Sequence, residues 1–104
     1  MVAMPNPTLH DRFYNARNDP SVVVIEGFHP LKHAFRFGAE LLEVVSPDPS
    51  ALADLQSEYA PDIKTPFKDL AQPVSEELFD RLAPVRPPTG VMAIARRPVV
   101  DLAA

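Results

Sequence analysis

The stretch Val22-Val23-Val24-Ile25-Glu26-Gly27-Phe28-His29-Pro30-Leu31-Lys32-His33-Ala34-Phe35-Arg36-Phe37-Gly38 decides how the rest of this chain is read. Its first four residues are apolar and β-branched without interruption, which suits a strand covered on both faces, as in a parallel sheet. Gly27 then permits a backbone angle that a side chain resists. Pro30 supplies the preset dihedral of a first helical turn, so a helix is expected to begin there. On a helical wheel Leu31, Ala34 and Phe35 fall on one side, while His29, Lys32, His33 and Arg36 share an arc of about 100° opposite them. Gly38 is placed to end the helix in a left-handed cap. Strand, glycine turn and helix with one basic face suggest a binding surface, not a catalytic centre.

Working outward, Leu41 to Val45 reads as the next strand, and reaching it through a helix implies a right-handed crossover between parallel strands. Asp48 and Pro49 have the pattern of an N-cap followed by a first-turn proline, opening a helix to about Tyr59 that buries Leu52, Leu55 and Tyr59. Residues Ile63 to Phe67 have the character of a short strand that Pro66 confines to an edge. Ser75 caps a further helix, with Glu76 and Glu77 at its positive end, Val74 stapled onto Phe79, and Leu78, Phe79 and Leu82 inward. Pro84 stops it, and Pro87-Pro88 stiffen a loop, with Thr89-Gly90, into a last strand from Val91 to Ala95. Before all this, Thr8 is a cap for a short helix whose apolar side is Leu9, Phe13 and Ala16.

These elements predict an α/β domain at residues 21–97, preceded by an N-terminal arm or short helix over 1–20. With 104 residues there is room for one core and no second domain. No apolar run approaches the roughly 20 residues of a membrane span, and residues 1–7 lack the basic and apolar blocks of a secretory signal. Absence of cysteine removes disulfides, thiolate chemistry and cysteine metal sites, and a cytoplasmic address is the expectation. The formal charge of −4 excludes a protein held to nucleic acid by broad counterion release. Acids cluster in the middle of the chain, with Lys32 and Arg36 before them and Arg86, Arg96 and Arg97 after.

The order of strand ending in Glu26-Gly27, basic helix, strand, helix, then Ser75-Glu76-Glu77-Leu78-Phe79-Asp80-Arg81-Leu82 and Pro88-Thr89-Gly90-Val91-Met92-Ala93-Ile94 resembles a known module. It is similar to the N-terminal substrate-binding domain of SpoU-type RNA 2′-O-ribose methyltransferases, over about Ser21 to Arg97. Two separated motifs in the right order carry the likeness, and either alone would be weak. The resemblance implies a three-layer α/β/α sandwich with a small mixed, largely parallel sheet, like that of RNA-binding ribosomal proteins. It also implies rRNA or tRNA as partner, bound weakly by this domain alone, and a homodimeric full-length enzyme whose knotted catalytic domain binds S-adenosylmethionine. Residues 98–104 would begin the linker to that domain. No glycine-rich cofactor loop and no Asn-x-Gly-x-x-x-Arg segment occurs here, so neither cofactor binding nor methyl transfer is expected of this chain itself.

The RNA-contacting candidates are His29, Lys32, His33, Arg36, Arg86, Thr89, Arg96 and Arg97. Phosphate oxygens accept from lysine and arginine, which position an RNA without reading it. The competing reading of the helical arc is an ordinary solvated face. Phe28, Phe37 and Tyr14 have rings able to stack on unpaired bases, though core or staple positions are the favoured reading. His29 and His33 have zinc-ligand spacing without the glutamate or further ligands of a zinc site, so no metal is expected. Glu26 is read as an acceptor for amides of the following turn. The alternative function is a protein-interaction module of the same fold that docks without touching RNA.

Overall fold

The computed structural model describes residues 8–97; the first seven residues of the expected arm or helix over 1–20, and the expected linker at 98–104, lie outside the described residues. In chain order the elements are α1 (Leu9–Arg17), β1 (Val22–Glu26), α2 (Phe28–Arg36), β2 (Glu40–Ser46) and α3 (Pro49–Tyr59), then α4 (Phe67–Leu70), β3 (Ala71–Pro73), α5 (Glu76–Arg81) and β4 (Met92–Arg96). The caps are where local chemistry puts them. Thr8 Oγ1 accepts the Asp11 amide while Asp11 accepts the Thr8 amide, a reciprocal capping box. Asp48 caps α3 with Pro49 in its first turn, Ser75 caps α5, and Gly38 follows α2 at φ 80°.

The sheet order is β1-β4-β2-β3. β1 and β2 run in the same direction, as a crossover through a helix requires, yet they do not touch. β4 lies between them, antiparallel to both, and β2 pairs with β3 in parallel. The sheet is mixed, with antiparallel pairing at two of its three seams, so the expected largely parallel character gives way. The apolar run of β1, which suggested an interior strand, instead forms an edge whose two faces are nevertheless covered.

Strand alternation sorts the side chains into two cores. Val23, Ile25, Ala93 and Ala95 join Phe28, Leu31, Leu52 and Phe67 on one face. Val22, Val24, Met92 and Ile94 join Leu9, Phe13, Phe79 and Leu82 on the other. Helices α2, α3 and α4 therefore cover one side and α1 and α5 the other, giving the α/β/α layering. The alanines of β4 leave room for the aromatic rings of the first core, where Phe28, Phe35 and Phe67 pack edge to face. An irregularity between Leu41 and Glu43 leaves Leu42 half-exposed and turns Glu43 toward α1. There Arg12 Nε reaches both carboxylate oxygens at 3.0 and 2.9 Å.

Three local expectations are corrected. Helix α2 starts at Phe28, two residues before Pro30, because Gly27 at φ 121° serves as its N-cap. The third strand is Ala71–Pro73, not 63–67, and Phe67 opens a helical turn instead. The cause is Gln56, buried in α3, whose amide nitrogen donates to the Ile63 and Thr65 carbonyls while its oxygen accepts the Phe67 amide. That side chain takes up the backbone groups that a strand at 63–67 would have offered to the sheet. Finally, Tyr59, expected inside, is 46% exposed at the last turn of α3.

Candidate nucleic-acid interface

Because β1 and β2 are parallel, their carboxyl ends lie at the same end of the sheet, and antiparallel β4 begins there. Three loops consequently meet: Glu26-Gly27 leading into α2, Ser46-Pro47-Asp48 leading into α3, and Thr89-Gly90 leading into β4. Ligands of open α/β sheets characteristically bind outside such carboxyl ends. The loops are tied by specific bonds. Gly27 N–H donates to Val91 O at 3.0 Å, and Thr89 Oγ1 accepts the Phe28 amide at 2.6 Å. The buried Ser46 hydroxyl donates to Gly90 O at 2.5 Å and accepts the Asp48 amide.

The Thr89 bond explains why α2 has no cap of its own. Glycine at the cap position offers no side-chain acceptor, so the first orphan amide of the helix is satisfied from a loop 61 residues away. A side chain at Gly27 would stand 3.2 Å from Thr89 Oγ1, which accounts for glycine there on steric grounds as well as by its φ. The two separated motifs of the sequence are thus one physical junction.

Outside this junction the exposed arc of α2 meets the end of α3. The His29 and Tyr59 rings lie 5.4 Å apart, edge to face, and Lys32 Nζ stands 5.9 Å from the Tyr59 centroid. One turn further on, Arg36 donates to Asp62 through Nη2 at 2.6 Å and Nε at 3.2 Å. Those hydrogen bonds hold the Asp62 carboxyl below the usual carboxylate range and raise the Arg36 guanidinium further, with Lys32 adding a favourable field on Asp62. Residues 59–62 therefore flank the basic arc, supplying an aromatic ring at one end and a counter-charge at the other.

The eight sequence candidates separate into three places. His29, Lys32, His33 and Arg36 share the exposed side of α2, and Thr89 lies at its start. Arg86 sits over the Phe79 ring of α5, held by Glu76 at 2.6 Å and Asp80 at 2.7 Å. Arg96 pairs with Glu40 at the opposite end of β4, and Arg97 Nε donates to the Val22 carbonyl. Glu26 accepts from Arg17 at 2.8 Å; the side chain that receives the turn amide is that of Thr89. Phe28 is fully buried, in keeping with the favoured reading, whereas Phe37 at 81% and Tyr14 at 63% are exposed and do not fill core positions.

Sequence reasoning missed Tyr59, Ser46, Gln56 and Asp62. Tyr59 shares the apolar arc of Leu52, but as the last residue of α3 it remains 46% exposed beside His29 and Lys32. A polar residue four positions after Leu52 was the available sign that Gln56 has structural work within the fold.

No protein-family model matches this chain, and no curated protein matches it. Geometry and residue chemistry therefore carry the functional reading. Among the described residues there is no group of three or more acidic, histidine or cysteine side chains arranged to hold a metal. No helix among them is long and apolar enough to cross a membrane.

Proposed function

We propose that this chain is the RNA substrate-recognition domain of an S-adenosylmethionine-dependent RNA 2′-O-ribose methyltransferase acting on rRNA or tRNA in the cytoplasm. The methyl donor belongs to a separate catalytic domain. The observation that supports the reading best is the junction of Gly27, Phe28 and Thr89, which joins both resemblance motifs beside His29, Lys32 and Tyr59. In this reading Lys32 and His33 meet phosphates, and the exposed Tyr59 ring offers a platform for an unpaired base. Arg36 contributes by exchanging Asp62 for a phosphate, which keeps the net gain small.

Titration of the isotope-labelled chain with folded rRNA and tRNA fragments at low salt tests this. Amides from Phe28 to Phe37 and at Thr89 and Gly90 are expected to shift. Asp62→Asn, which frees Arg36, is expected to tighten binding and to steepen the dependence of log K on log salt by about 0.7–0.9. Saturating RNA that leaves both regions unchanged would abolish the reading.

One observation favours the alternative, a protein-docking module of the same fold: Arg36, Arg86 and Arg96 are all engaged by carboxylates. Its signature is salt-insensitive binding to a protein partner with no RNA-induced shifts.

A further inference from the structure

The two edges of the sheet are treated differently. β3, at one edge, is three residues long and ends in Pro73. Short strands and prolines are common protections against further pairing. β1, at the other edge, is five residues of Val-Val-Val-Ile-Glu with neither proline nor lysine, and its described pairing with β4 is regular. Gly27 N–H donates to Val91 O and Arg97 N–H to Ser21 O, so the odd-numbered residues of β1 address β4. The backbone groups of Val22, Val24 and Glu26 therefore point outward. Those of Val22 are occupied, its amide by the Asp19 carbonyl at 3.3 Å and its carbonyl by Arg97 Nε at 3.2 Å. The amides and carbonyls of Val24 and Glu26 have no such partner among the described residues.

A groove of about 450 Å³ follows this open edge, and four charged residues line it. Arg97 and Asp19 stand at the Val22 end; Glu26 and Arg17, 2.8 Å apart, stand at the other. A two-fold axis through Val24 carries one end onto the other. An antiparallel partner strand centred there sets Val24 against Val24, with Val22 against Glu26 at both ends. Arg97 of each copy then faces Glu26 of the other, and Arg17 faces Asp19. The edge is complementary to itself in apolar character and charge, and Val24 of each copy exchanges both outward backbone hydrogen bonds with Val24 of the other; Val22, already bonded to Asp19 and Arg97, adds none at the ends.

We propose that this edge is a homodimerisation surface, on which a second copy of the chain adds its β1 to form a continuous eight-stranded sheet. The dimer is separate from any formed by a catalytic domain and requires no RNA contact. Antiparallel strand addition at exposed edges is an established mode of association.

Sedimentation velocity of the full chain over a micromolar to millimolar range tests it. The expected result is a concentration-dependent monomer–dimer equilibrium, with the Val24 amide protected from exchange in the dimer. Val24→Pro removes an outward amide without breaking a bond to β4, and is expected to abolish dimerisation with the circular dichroism spectrum retained. Glu26→Arg and Arg97→Glu each set like charges opposite one another at both ends and are expected to weaken the dimer about tenfold. The double variant reverses both signs and is expected to restore it to within about threefold. A chain that stays monomeric throughout would overturn the proposal. So would a dimer indifferent to Val24→Pro and the charge exchange, or an edge that accepts only a different protein.

Discussion

Replacing Gly27 by alanine tests the junction on which the candidate interface depends. Gly27 has φ 121° and ψ 167°, a region that only glycine occupies readily, and a side chain held there costs about 1–3 kcal/mol. The new methyl carbon would stand 3.2 Å from Thr89 Oγ1, the same atom that accepts the Phe28 amide at 2.6 Å. Displacing Thr89 forfeits that bond, about 1 kcal/mol more. Alanine recovers about 0.4–1 kcal/mol by narrowing the unfolded ensemble, leaving a net loss of about 1–3.5 kcal/mol. For a domain of this size that lowers the melting temperature by about 5–25 °C. Gly38→Ala is the control: its φ is also positive, at 80°, but nothing lies within 4 Å of the added carbon, and it should cost only about 1–2 kcal/mol. Thermal and urea unfolding of both variants, of Thr89→Ala and of the Gly27→Ala/Thr89→Ala double complete a cycle. The collision with Thr89 predicts that Gly27→Ala costs about 1 kcal/mol less once the hydroxyl is gone. A Gly27→Ala penalty no larger than that of Gly38→Ala, with zero coupling to Thr89, would refute the reasoning.

Gln56→Ala removes three hydrogen bonds from a buried side chain and is expected to cost about 2–4 kcal/mol in urea unfolding, with faster exchange of the Phe67 amide. A loss below about 0.5 kcal/mol, the scale of an ordinary surface substitution, would show that residues 63–67 hold their path without it. Two carboxyls also set an acid limit: Asp62 is held low by Arg36, and Asp19 by the hydroxyl and amide of Ser21. Since their folded values lie below the unfolded value of about 4, their contribution is complete above that pH and is lost as pH falls through the folded values. Melting temperature is therefore expected to drop on acidification below about pH 4, less steeply in Asp62→Asn; a rise over that range would contradict the assignment.

What the sequence makes legible is whatever is decided within one turn of chain. Thr8, Asp48 with Pro49, Ser75 and Gly38 each act on amides or dihedrals a few residues away, so the helix ends follow from composition and spacing. The inward sides of α1 and α2 follow in the same way. Strand order is different, because nothing in Leu41 to Val45 records that β4 will lie between it and β1. The misplaced third strand has a similar origin: the partners of Gln56 lie 7 to 11 residues away and belong to a segment whose own residues are weakly patterned. At the candidate interface, the basic arc of α2 was legible from helical periodicity alone. Its surroundings were not, since Tyr59, Asp62 and Thr89 reach it from other elements. The apparent division between an acidic middle and basic ends also dissolves on folding, because Asp62, Glu76, Asp80 and Glu40 return to three of the arginines.

That charge compensation bears on how the open edge and the candidate interface combine. With Arg36, Arg86 and Arg96 paired, a single domain has few uncommitted cations to offer, and any phosphate contact by these arginines must be gained by exchange. Two copies joined along β1 change the arithmetic without altering any contact. The two-fold axis of an antiparallel seam stands perpendicular to the sheet, so both α2 layers lie on the same side. Gly27 is three residues from Val24, which separates the two junctions by about 20 Å along the strands. They point outward at opposite ends, and neither covers the other. A paired domain would then present two weak surfaces on one face, and an RNA long enough to reach both would bind through effective concentration instead of through a stronger individual site. The salt dependence per domain would stay shallow while the overall affinity rose, a combination that one basic patch of the same total charge does not produce.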